Sequence, residues 1–265
     1  MSVAINGPGS EQARFLSTSP IDQPTFDTLL AAPDAAGFEG TNTMDWQPNT
    51  SWQMALAGTN TITWTFTEPL AVTGFALFGH NLGDTGATVR FQYEDSGWVD
   101  LFTPITKDNN KTIYQAFTPV AFTQYRILVE DAEDCNQIAV IAFGQELIMP
   151  IGQHDGFSPP VLARRQRVLN SVSETGNFLD RQRISQGSMS TVEFHNIDRN
   201  FVRDSWLPFQ IEAELHPFFY SWRHQEYPEE AALGWTNGSL PQADNSNWTY
   251  MNCGLGSCRF QDEIF

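Results

Sequence analysis

Five histidines and three cysteines are the residues of this sequence best suited to metal or nucleophilic chemistry, and their spacing argues against both. His80, His154, His195, His216 and His224 form no His-Glu-x-x-His pair and no close Cys/His group, so zinc chemistry has no recognisable ligand set. No Gly-x-Ser-x-Gly elbow marks a serine nucleophile. Cys253 and Cys258 enclose Gly-Leu-Gly-Ser, a spacing open to a small disulfide ring or to two ligands of a metal or iron–sulfur cluster. Only Cys135 remains elsewhere, too few thiols for a cluster, and two unpaired thiols are the alternative. No metal and no cofactor is assigned. Gly254-Leu255-Gly256-Ser257 and Gly83-Asp84-Thr85-Gly86 lack the lysine of a phosphate loop and read as turns.

Glycoside hydrolysis needs two carboxyl groups about 5–10 Å apart. The neighbouring pairs are Glu94 with Asp95, Glu130 with Asp131, Glu133 with Asp134, and Glu229 with Glu230. Adjacent residues on a strand point to opposite faces, so each pair reads as a solvated acidic turn. Asp45, Asp84 and Asp131 carry the oxygen donors that a structural calcium uses in a sandwich loop. No catalytic residue is assigned, and the chain reads as a non-enzyme. Aromatic residues offer a different chemistry, stacking on sugar rings. Trp46 and Trp52, in an Asn/Thr-rich loop, are candidate glycan contacts together with His80 and Asn81; core packing is the alternative for both tryptophans.

The charge balance limits the partners. The 265 residues hold 31 acidic and 14 basic side chains, a net charge of -17, which disfavours nucleic acid and anionic membrane. No apolar run approaches the ~18 residues of a membrane span, so no membrane insertion is expected. The opening MSVAINGPGSEQ has neither the basic nor the apolar region of a signal peptide, and synthesis in the cytoplasm is expected. Seven of the basic residues, Arg164, Arg165, Arg167, Arg181, Arg183, Arg199 and Arg203, crowd one stretch. They suit an acidic surface on a neighbouring subunit or local ion pairs with Asp180, Asp198 and Asp204.

The elements that must carry these residues are strands. With 19 Gly, 15 Pro, 8 Trp and 20 Phe, the composition favours turn-rich β structure. Ile62, Trp64 and Phe66 alternate at period two, Glu68-Pro69 breaks the run, and Val72 to Phe78 is apolar on both faces. Further short strands are expected at 88–93, 98–102, 113–117, 124–129 and 138–147, the spacing of an all-β sandwich. Pro24 to Ala32 reads as one short helix. A composition shift near Pro150 divides the chain into 1–148, a β-sandwich, and 149–265, a second β-rich domain for assembly, with an extended Gly/Pro-rich arm at 148–160. In the second half, 164–173, 188–195 and 210–215 alternate as strands, and short helices are possible at 198–206 and 229–233.

Two resemblances follow. Asp45-Trp46, the strands at 61–66 and 72–78, Val89-Arg90-Phe91-Gln92-Tyr93, Tyr125-Arg126-Ile127-Leu128-Val129 and the closing Ile141-Ala142-Phe143-Gly144 resemble, in order and pattern over about 100 residues, a discoidin-like galactose-binding module. That resemblance implies a jelly roll that binds glycan, lipid or protein through the loops at one end. The second half, through the arm near Pro150 and the segment from Phe218 through Trp222 to Glu230 followed by Gly234-Trp235, looks like the tail-tip proteins of long-tailed bacteriophages, the distal-tail and minor tail proteins. It implies a structural virion component in the tail, made in the host cytoplasm, that joins the tail tube to the host-recognition apparatus. Its implied partners are copies of itself in a trimeric or hexameric ring, other tail proteins (tube, hub, fibre) and possible host surface glycan. Arg164, Arg165, Arg167, Phe218 and Trp222 are the candidate interface residues. The alternative is a carbohydrate-binding module for host surface glycans.

Overall fold

The period-two run Ile62, Trp64 and Phe66 enters one hydrophobic core, as its spacing requires. The computed structural model describes residues 12–32, 34–133, 136–153 and 157–262 and places that run on a long strand, Gly58–Phe78. Glu68-Pro69 does not end the strand. Its register with the neighbouring strand Ile113–Ala132 slips between Thr65 and Leu70, so the strand bends where the proline's missing N–H costs no ladder bond.

Both long strands therefore fold over at mid-length, and their halves face each other. A seven-stranded sheet closes on itself as a sandwich. Trp64 in one half meets Phe143 of strand Val140–Gly144 with ring centroids 5.0 Å apart, and Phe75 in the other half meets Phe91 of strand Thr88–Glu94 at 4.5 Å. The fold class is all-β, and this half is a jelly-roll sandwich. Phe26–Ala32 is an edge strand of it, not the expected helix, because Phe26 pairs with Phe66 and Leu29 with Trp64. Tertiary pairing overrides a weak local propensity there.

The second sheet runs Leu147–Ile148, Arg14–Leu16, Phe218–Ser221, Ala231–Thr236, Tyr250–Gln261, Phe178–Asp198, Arg164–Val172. Arg14–Leu16 and Leu147–Ile148 thus sit outside the sandwich in which a boundary at 148 would put them. The jelly roll is an insertion between these two strands of the second domain. Phe15 explains why: its ring lies 4.8 Å from Phe209, 4.9 Å from Tyr220 and 5.9 Å from Trp206, at the centre of the second core.

Three local readings of this half change. Residues 210–215 belong to a helix, Leu207–Leu215, because burial repeats at Val202, Trp206, Phe209 and Ala213 and not at every second residue. The expected helix over 198–206 forms, capped by the Asp198 carboxylate, which accepts from the N–H groups of Asn200 and Phe201. Ala231–Thr236 is a strand where 229–233 suggested a helix. The glycine pairs also differ in use. Gly256, at φ +63°, sits where the register with Phe178–Asp198 slips inside a strand, whereas Gly86, at φ +73°, ends a short helical turn, Leu82–Thr85.

The two sheets share a face. Along Val140–Gly144, Ile141 and Phe143 point into the jelly-roll core while Val140 and Ala142 point outward onto Leu16, Phe219, Ala231 and Leu233. Ala76 and Phe78 join them, so the apolar character of 72–78 on both faces has its cause in two separate cores. At the edge of this contact Arg14 donates to Glu146 Oε2 at 2.9 Å and Tyr114 donates to Glu146 Oε1 at 2.6 Å. The described residues of 148–160 do not reach outward as an arm. Met149 is buried in the second core, Gln153 donates to the Tyr220 hydroxyl at 2.7 Å, and Phe157 packs on Tyr220 and Trp222; residues 154–156 lie outside the described residues. Apolar side chains at 149 and 157 draw the segment back onto its own domain.

Candidate functional site

Among the described residues, a projecting ribbon carries a long run of exposed side chains. Strand Phe178–Asp198 pairs with Tyr250–Gln261 only from Ser188 onward; its earlier residues pair with Arg164–Val172 alone. Nine residues of such a ribbon reach about 30 Å. At its tip the Ser173 N–H donates to the Asn177 carbonyl at 2.8 Å, and Gly176 takes φ +84° to complete the turn.

Every residue of Arg164–Val172 is exposed, and the strand is the free edge of its sheet. The side chains mix two chemistries. Leu169, Val172, Phe178, Leu179 and Ile184 are each more than half exposed. Five arginines against Glu174 and Asp180 give residues 164–188 a net charge of +3, within a chain of -17. Arg181 donates to Asn170 across the ribbon and Arg183 to Gln186 on its own strand, while Arg164, Arg165 and Arg167 make no ion pair with the described residues. Of the local ion pairs with Asp180, Asp198 and Asp204 weighed for the seven arginines, these three form none. An isolated two-stranded hairpin is marginal in water, and a free edge beside apolar side chains is a template for another chain.

The other sequence-derived candidates lie elsewhere. Arg164, Arg165 and Arg167 are on the ribbon, but Phe218 is fully buried in the second core and offers no interface. Trp222 is half-buried, donating to Glu230 at 2.6 Å and stacked on Tyr227 at 5.6 Å. The glycan set is not assembled either. Trp52 is fully buried, its indole N–H donating to Asp34 at 2.8 Å. Trp46, at φ +60°, is 7% exposed and packs on Phe219 at 6.0 Å between the domains. His80 is buried with Nε2 2.8 Å from the Lys111 carbonyl, and the Asn81 side chain accepts from the Gln137 N–H at 2.8 Å. None of these rings presents a face for a sugar, because loop aromatics here close the core of the sandwich and its seam with the second sheet.

Three of the candidate carboxylates are also committed to structure. Arg90 holds Glu130 at 2.7 Å, Asp45 accepts from the Gln47 N–H and the Thr50 hydroxyl, and Asp84 accepts from Asn110. Cys253 and Cys258 are unbonded and buried in a strand, and burial pushes both thiols up to about 12, so they stay protonated and unreactive. Cys135 and Asp134 lie outside the described residues, among which no group of His, Cys, Asp or Glu is arranged to hold a metal ion.

No protein-family model and no curated protein matches the chain. Solved structures do. A pectin-binding carbohydrate-binding module is 16% identical over 46% of this chain and 93% of its own, with a TM-score of 0.38. A family 32 module from Clostridium perfringens, solved with galactose, is 15% identical over 45% of this chain and 93% of its own, with a TM-score of 0.39. A chitosan-binding module from Paenibacillus sp. IK-5, solved with chitotriose, is 14% identical over 44% of this chain and 95% of its own, with a TM-score of 0.38. Each likeness is one of fold.

The ribbon's apolar half is what sequence reasoning missed. The arginines were visible as a cluster, but Leu169 sits in the alternating segment 164–173 that reads as strand, and Phe178 and Leu179 fall between the segments assigned to elements. The available signal was their coincidence with that cluster on both sides of a Ser/Thr/Gly/Asn turn.

Proposed function

We propose that this protein is a non-catalytic assembly component: a jelly-roll module grafted without a linker onto a second β domain, which docks on another protein through the ribbon at 164–188. The observation that carries the reading is the exposed, basic and apolar-studded free edge of that ribbon, a surface suited to pairing by strand addition. The tail tip of a long-tailed bacteriophage is the assembly to which the sequence resemblance assigns it, with the virion as its location; the matched structures above are carbohydrate-binding modules, so that assignment rests on the sequence resemblance and the ribbon. Replacing residues 165–186 with a short glycine turn is expected to leave the urea unfolding midpoint of the body unchanged while reducing the oligomers of the intact protein to monomer in light scattering and negative-stain images. An unchanged mass would sink the docking role.

A second reading, carbohydrate binding, is favoured by an open cleft of about 720 Å³ between the sandwich and the second domain, lined by Pro104, Ile105, Thr106, Lys107, Asp108 and Glu229, a mixed apolar and polar surface. Lys107 and Glu229 meet across it at 2.8 Å. On this reading a glycan array probed with the intact protein gives signals that Lys107→Ala removes. Silence on the array eliminates it.

A further inference from the structure

We propose that the ribbon of one copy docks on the helix Leu207–Leu215 of a second copy, in a head-to-tail contact. The proposal rests on the docking role of the ribbon and names its partner.

The helix buries one stripe, Val202, Trp206, Phe209 and Ala213, and leaves a second one bare. Leu207, Ile211 and Leu215 recur every fourth residue, so they form one row, and they are 39%, 59% and 72% exposed. Soluble surfaces scatter such residues singly; a row of three marks a covered face. The row is bordered by exposed Asp204, Glu212 and Glu214, with Arg203 the basic residue beside them. It is thus apolar and predominantly acidic, where the ribbon is apolar and basic, with a net charge of +3 against -20 on the rest of the chain.

One chain cannot satisfy both surfaces by itself. The ribbon leaves the sheet before Ser188, and the helical segment begins at Arg199, at the other end of the same strand. The helix runs back along that strand, Gln210 donating to the Gly254 carbonyl and the Ala213 carbonyl accepting from Thr236 at 3.3 Å, so its row ends near the base of the ribbon. The ribbon continues past Ser188 with Leu169 and Phe178 about 20–30 Å further on, beyond the end of the helix, and their meeting with the row requires a second copy displaced along the strand. Such a contact is heterologous, closing a ring if the rotation between copies permits and growing otherwise.

The test uses the full chain with two double variants at exposed positions, Leu169→Asp/Phe178→Asp on the ribbon and Ile211→Asp/Leu215→Asp on the helix. Light scattering over a concentration series should show the parent self-associating and each variant weakened by about 30-fold or more, the loss expected when central apolar anchors are charged. Mixed at equal concentrations, the two variants should give a dimer of one copy each, since each retains the surface the other lacks; that product also shows that both are folded. If the ribbon variant is monomeric while the helix variant associates like the parent, the helix is not the partner, although the docking role of the ribbon survives. If the ribbon variant associates like the parent, the docking role falls and this contact with it. A parent that stays monomeric throughout also overturns the contact.

Discussion

Arg14→Ala is expected to cost the protein about 3–5 kcal/mol, the range for removing one member of a buried ion pair and leaving the other behind. The Glu146 side chain is 1% exposed and that of Arg14 14%, so the carboxylate left in the variant is shut away from water. Burial raises its pKa, and the hydrogen bond from Tyr114 and the charge of Arg14 oppose that rise. Alanine removes the cationic partner and leaves the hydroxyl donors Tyr114, at 2.6 Å, and Thr73. Removing all three polar groups together, as Arg14→Met/Tyr114→Phe/Glu146→Leu, should recover much of the loss, because the desolvation penalty goes with the charges. Urea unfolding at pH 7 measures both. A parent-like midpoint for Arg14→Ala would show that the pair contributes nothing to joining the sheets.

Acid should weaken the protein well above the ordinary carboxylate range. His80 is held neutral: its Nε2 faces the Lys111 carbonyl at 2.8 Å as donor, and Nδ1 accepts from the Leu82 N–H. Burial pushes its pKa down to about 4 from 6.5, against a smaller opposing effect of the Lys111 carbonyl. In the unfolded chain the imidazole binds its proton as pH falls through 6.5, while in the folded protein it stays neutral until about 4. The unfolded state therefore holds more protons in that window, and stability falls with falling pH, by about 3 kcal/mol across it. His224, also pushed down to about 4 by burial, adds a smaller loss of the same sign because it is partly exposed. Comparing the parent with His80→Gln at pH 7, 5.5 and 4.5 isolates the contribution: the parent should lose stability more steeply. Parallel curves would assign the acid sensitivity to other groups.

Where a segment's own residues decide its structure, the sequence was readable. Ile62, Trp64 and Phe66 alternate because one face of their strand is core, and Asp198 announces a helix because its side chain satisfies the first free N–H groups. Misreadings arose where a distant partner decides. Phe26–Ala32 is a strand because of residues near Phe66, and Arg14–Leu16 joins Phe218–Ser221 from the far side of the jelly roll. The helix Leu207–Leu215 alternates locally, and its true repeat shows only when Val202 and Trp206 are counted with it. Trp46 illustrates the same limit at the candidate site: nothing in a polar loop foretells that its ring will meet Phe219.

The insertion of the jelly roll into the second sheet sets an order for synthesis. Phe15 and Leu16 leave the ribosome long before Phe218–Ser221 exists to pair with them, whereas Leu147–Ile148, their neighbour on the other side, follows directly on the last strand of the jelly roll. Domains close as units once their last strand is available. Closing the jelly roll therefore draws Arg14–Leu16 and Leu147–Ile148 together, and its outer residues Ala76, Phe78, Val140 and Ala142 become a template on which the later strands, carrying Phe219, Ala231 and Leu233, are laid down.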